Sequence, residues 1–148
     1  MHRRNIFKAA LAATAGVFAV RATGHALADA SAVQKVVYHL SDFEKVGFVL
    51  GNIRNHIDGV GGADKVKIAL VVHGSALKAF DSVAAHPDIS KSYEAIANSG
   101  VEMNACANTM KAQNTTLANL LPGFISAERG GVVRLAELQG QGYVYLRP

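Results

Sequence analysis

Cys106 is the only cysteine in the 148-residue chain. One thiol excludes an intramolecular disulfide framework and any C-x-x-C metal or redox pair. It leaves a free thiol, an intermolecular bridge or a modified sulfur. Other absences narrow the function further. There is no G-x-G-x-x-G or G-x-x-x-x-G-K-[ST] loop, so nucleotide binding is not indicated. Gly74-Ser75 lacks the G-x-S-x-G elbow of a serine hydrolase. No H-x-x-x-H pair supports a metal centre, no cofactor is called for, and no repeat, low-complexity tract or long linker divides the chain.

What is present begins with an export signal over residues 1–28. Arg3, Arg4 and Lys8 precede the uncharged, mostly apolar run Ala9–Val20, and Ala26-Leu27-Ala28 supplies small residues for cleavage. A cut after Ala28 is expected, with one after Ala30 as the second choice. Arg3-Arg4 followed by Asn5-Ile6-Phe7-Lys8 resembles a twin-arginine motif with its aromatic residue one place late. The expected destination is the periplasm, with no membrane span left after cleavage. Four of the 15 basic residues (Arg3, Arg4, Lys8 and Arg21) lie in this segment, leaving 11 against 11 acidic ones. The basicity therefore belongs to the signal, and the mature chain offers no nucleic-acid surface or polybasic membrane patch. Asn114-Thr115-Thr116 fits the N-glycosylation pattern, which beside a bacterial-type signal is read as chance. Residues 29–148 suffice for one domain with its own core.

Within that domain, Val33–Leu40, Lys65–His73 and Val101–Cys106 are strand-like and almost continuously apolar. Such runs suit parallel strands buried on both faces. Gly123–Ser126 and Tyr143–Leu146 supply a fourth and fifth strand, the last with the alternation of an edge. Between the strands, a helix is expected from Ser41, with Glu44 at capping-box spacing and Phe43, Val46, Leu50, Ile53 and Ile57 on one face. Gly47 and Gly51 mark another face, suited to close packing on a strand or a neighbouring subunit. Further helices are expected over Ala76–Ala85, from Asp88 to the Asn98-Ser99-Gly100 stop, over Thr109–Leu121 and over Val132–Gln139. The alternation predicts a three-layer α/β/α sandwich with a mostly parallel sheet of about five strands.

In such sheets ligands bind beyond the carboxyl ends of the strands. His39, His73 and Cys106 all fall there, with Asn104, Asn108, Ser75 and Ser41 available for hydrogen bonds. Cys106 also stands where a strand gives way to a helix, and the unpaired N–H groups of a helix start favour thiolate over thiol. Each residue has a purely structural reading too: Cys106 as a small buried hydrophobe, His73 and His39 as rings bonded to nearby groups. His56 and His86 read as surface and turn residues. Two histidines and a cysteine also make a three-ligand metal set conceivable.

The runs VVHGSALKAF (Val71–Phe80), GVEMNACANTMK (Gly100–Lys111) and GGVVRLAELQGQGYVYLRP (Gly130–Pro148) resemble the DsrE/DsrF-like proteins of sulfur relay, in an exported, single-domain branch. The resemblance covers the mature chain. It implies a parallel α/β sandwich that forms homo-oligomers, with Cys106 at the position that carries sulfur as a persulfide and His73 at a recurrent histidine. On this expectation the protein is a periplasmic sulfur carrier or sulfurtransferase, working with an unidentified sulfur donor and acceptor thiol. The alternative is a non-catalytic homo-oligomeric module that binds a small ligand or metal at the strand ends.

Overall fold

In a computed structural model of the protein, the described residues are 33–148, so the expected export signal lies outside them. The apolar runs become Gln34–Leu40 (β1), Val66–Val72 (β2) and Glu102–Cys106 (β3), each buried along most of its length. Phe124–Ala127 (β4) and Val144–Leu146 (β5) complete one five-stranded sheet in the order β4-β3-β2-β1-β5. Every pairing in it is parallel. The expected three-layer α/β/α architecture is therefore observed, and β5 forms an edge.

The strands send alternate side chains to opposite faces. On one face Val36, Tyr38, Leu40, Ile68, Leu70, Val72, Met103 and Ala105 form the main core with the helices Val46–Gly59 (α1) and Pro87–Asn98 (α2). Phe80, Tyr93 and Phe124 anchor its far end, with ring centroids 5.2–5.5 Å apart. The other face presents Val37, Ala69 and Val71 to Leu135 and Leu138 of the helix Gly131–Gly140 (α4), with Tyr143 beside them. A six-residue helix, Ala107–Ala112 (α3), leaves directly from β3. Among the described residues no helix is long and apolar enough to cross a membrane.

Several expected helices are shorter than their patterns suggested. The capping box at Ser41 does not form, because the Ser41 carbonyl accepts from Ala76 N and its hydroxyl accepts from Arg147 Nη2. A 3-10 turn, Phe43–Lys45, intervenes before α1 and leaves Phe43 exposed, while Val49 joins the buried face. A Cβ on Gly47 would meet Ile89 of α2 at 3.7 Å, whereas Gly51 has nothing within 4 Å, so this glycine face touches a helix and not a strand. The stretch after β2 is a 3-10 helix over Gly74–Phe80 that ends where Asp81 Oδ1 accepts from Val83 N and Ala84 N. The helix expected over Thr109–Leu121 stops at Ala112. Asn114 then takes a positive φ of 51°, and a capping box between Thr116 and Asn119 starts a separate 3-10 turn. Tertiary bonds impose this break: Gln113 Nε2 donates to Gly74 O, and Leu121 N donates to Phe80 O.

Candidate functional site

Parallel pairing brings the three expected residues to neighbouring strand ends on the α4 side. β1 and β2 pair in register with His39 opposite Val71, and β2 and β3 with Val72 opposite Ala105. His73 continues that ladder by donating its N–H to Leu40 O. The chain then turns through Gly74, whose φ of 61° and whose missing Cβ, which would stand 3.0 Å from Ser41 O, admit only glycine comfortably.

Cys106 is the last residue of β3 and the N-cap of α3, and it is buried. Its sulfur accepts the N–H of Gly131, at the start of α4, at 3.1 Å. Burial pushes the thiol up, but the Thr109 hydroxyl and the backbone N–H groups of Thr109, Gly131 and Asn108 outweigh it and hold the thiol below its ordinary range. Thr109 is free to serve the sulfur, because its oxygen accepts from Gly74 N at 3.0 Å while its hydrogen remains to donate. Two helix starts and one hydroxyl thus converge on one sulfur, an arrangement suited to an anionic thiolate.

His73 lies beside this group. A Cβ on Gly131 would sit 3.3 Å from Cys106 Cβ and 3.4 Å from His73 Cβ, so glycine is what lets the two side chains share that space. Among the described residues no hydrogen bond joins His73 to Cys106. His73 Nε2 instead meets His39 Nε2 at 2.5 Å, and His39 Nδ1 meets Tyr145 Oη at 2.6 Å. Burial, then the positive charges of His73 and Arg147, push His39 down to about 4, with Asp42 opposing. Burial and Arg147 also lower His73, again against Asp42. Both rings are therefore neutral at neutral pH.

The remaining expected residues divide. Asn108 contributes its backbone N–H, and its side chain packs where a Cβ on Gly130 would come within 2.7 Å. Asn104 is buried on the same strand face as Cys106, but it bonds Leu70 O, Glu102 and Arg134. Ser75 is not brought to the thiol; it accepts from Phe43 N and donates to Ser41 O, bracing the exit of β1. His86 is the N-cap of α2 and accepts from Asp88 N. His56 bonds Tyr38 Oη through Nδ1 at 2.9 Å, more than a surface role. Among the described residues there is no cluster of three or more His, Cys, Asp or Glu positioned for a metal ion.

Sequence reasoning missed Thr109, Gly131, Tyr145 and Arg134. Thr109 carried a signal, since it stands three residues after a helix-starting cysteine, the spacing at which caps meet their donors. Gly131 and Arg134 reach the site only through the placement of α4. A cleft of about 280 Å³ is lined by Asn104, Ala127, Gly130, Arg134 and Glu137 among others, and Cys106 itself does not line it.

Comparison with known proteins agrees with the fold. The model of the DsrE/DsrF-like family matches residues 9–148. A search of curated proteins found no match. Among solved structures, the protein of unknown function MTH1491 from Methanobacterium thermoautotrophicum is similar at 25% identity and a TM-score of 0.67, covering 78% of this chain and 99% of that one. The YchN protein of E. coli is similar in fold at 14% identity and a TM-score of 0.59, covering 79% of this chain and 100% of its own. BT1422 of Bacteroides thetaiotaomicron, also of unknown function, gives 18% identity and a TM-score of 0.58 over 78% of this chain and 95% of that one.

Proposed function

Because the chain belongs to the DsrE/DsrF-like family, we propose that it is an exported, periplasmic sulfur carrier that holds sulfur as a persulfide on Cys106 and passes it to an acceptor thiol. The observation that carries this reading is the set of donors on Cys106 Sγ: the Thr109 hydroxyl, the N–H groups of Thr109 and Asn108, and the Gly131 N–H at 3.1 Å. They favour the anionic sulfur that the chemistry needs. In the first step the Cys106 thiolate attacks the outer sulfur of a sulfane donor such as thiosulfate. The new S–S bond forms as the donor's own S–S bond breaks, and sulfite leaves with the electron pair. In the second step an acceptor thiolate attacks the terminal sulfur, takes it as its own persulfide and returns Cys106 as the thiolate. No outside oxidant or reductant enters either step.

His73 serves in this scheme as the neutral base for an incoming acceptor thiol. His39 occupies its Nε2, which leaves Nδ1 to take the proton. That assignment puts the proton of His73 on Nε2, donated to His39 Nε2, and the proton of His39 on Nδ1, donated to Tyr145 Oη. The convergence of two imidazole nitrogens favours one second reading, a binding module for a small ligand or metal. Stoichiometric metal in the purified protein, abolished by His73→Ala, would select it.

The test is the intact mass of the exported protein after incubation with polysulfide, with and without reductant, beside Cys106→Ser. The expected result is a reductant-reversible gain of one or more sulfur atoms that requires Cys106. No gain in the wild type, or the same gain in Cys106→Ser, would overturn the proposal.

A further inference from the structure

Helix α4 meets Cys106 through its first residue, and its first turn has little apolar anchorage. Val132 is 68% exposed and Val133 37% exposed. The buried leucines of α4, Leu135 and Leu138, pack against β1 and β2 and leave the β3 side of the helix without apolar contacts in that cluster. On β3 the attachment is polar. Glu102, Asn104 and Cys106 alternate along one strand face. Gly131 and Arg134 lie three apart on α4 and so share one helix face. The two rows meet at two levels. Gly131 N bonds Cys106 Sγ at 3.1 Å, while Arg134 Nε bonds Asn104 Oδ1 at 3.0 Å and Arg134 Nη2 bonds Glu102 Oε1 at 2.7 Å. Asn104 is 1% exposed and is itself held by Leu70 O and Glu102.

From this geometry we infer that Arg134 is a positioning residue for the thiol: by tying the first turn of α4 to Glu102 and Asn104, it holds the Gly131 N–H against Cys106 Sγ. The neighbouring cleft offers no free cation for an anionic ligand, because Arg134 is paired with Glu102 and Glu137, and Arg129 with Glu137. The guanidinium therefore works through the backbone that it fixes. Its planar fork engages Asn104 and Glu102 together, which an ammonium group does not reproduce.

The inference concerns the same sulfur as the carrier reading, but its readout needs no sulfur transfer. The rate of Cys106 alkylation by iodoacetamide is measured against pH in the full chain, for the wild type, Arg134→Met, Arg134→Lys and Glu102→Leu, with the urea-unfolded chain as the reference thiol. Loss of one hydrogen bond to a charged sulfur predicts a rate about tenfold lower at neutral pH, with the profile displaced to higher pH, in Arg134→Met. Arg134→Lys recovers part of the loss. Glu102→Leu separates positioning from simple charge. Removing an anion near a thiolate by itself moves the profile to lower pH, whereas releasing α4 moves it higher.

A higher profile in both Arg134→Met and Glu102→Leu supports the inference. A lower or unchanged profile in Glu102→Leu overturns it. A variant that has merely unfolded reacts like the urea reference, and Arg134→Lys then decides: wild-type behaviour in that variant overturns the fork, and an intermediate profile supports it. If the carrier reading alone fails, sulfur uptake is absent while these profiles still shift.

Discussion

His39 ties the stability of the fold to pH in a window that can be worked out. In the unfolded chain it titrates near 6.5, whereas burial, His73 and Arg147 bring it down to about 4 in the folded protein. Between those values the unfolded chain binds a proton that the folded chain does not, so stability rises with pH there and falls on acidification. The His39 contribution is whole above pH 6.5 and is lost as pH falls toward 4. At about 1.4 kcal/mol per unit, a shift from 6.5 to about 4 amounts to at most roughly 3.5 kcal/mol. That is a large share of a typical domain's stability. The lowered His73 adds to the same slope, so the two rings titrate as a pair. Glu102, which burial pushes up but Arg134 and Asn104 hold low, adds its own loss only in the carboxylate range. The assay is urea unfolding followed by circular dichroism at pH 7.5, 6.5, 5.5 and 4.5, on the wild type and His39→Gln. The wild type should lose stability steadily across the series, and the variant should lose clearly less, whatever its starting value. Parallel curves would refute the reasoning, because the slope would then arise elsewhere.

Thr109→Val keeps the shape of the side chain but removes the hydroxyl that serves Cys106 and the oxygen that accepts from Gly74 N. Cys106 alkylation at neutral pH should slow by about tenfold or more, and stability should fall by about 1–3 kcal/mol for the orphaned N–H, read by pH-dependent alkylation and urea melts. Gly131→Ala places a methyl 3.3–3.5 Å from Cys106 Cβ and from two atoms of His73. These contacts are close without a clash under 3.0 Å, so the fold should persist while the thiol reacts more slowly; unchanged alkylation would show that Gly131 does not border the path to the sulfur.

The features legible in the amino-acid order are those carried by contiguous residues. Buried parallel strands need mostly apolar runs, and Val36–Tyr38 and Ile68–Val72 show them without reference to anything distant. The strand-to-helix junction at Cys106 is equally local, as is the alternation that sets His39, His73 and Cys106 at strand ends. Helix extents were less legible. The periodic stretch from Thr109 is cut at Ala112 by bonds from Gln113 and Leu121 to residues some forty positions earlier, and Ser41 is drawn from its capping role by Arg147 and Ala76. The donors around the sulfur are instead selected by folding. Gly131 lies 25 residues from Cys106, Arg134 30 from Asn104, and Tyr145 106 from His39. Hydrogen bonds act over about 3 Å, so these partners exist only once the strand order has set β1, β2 and β3 side by side and folded α4 back across them.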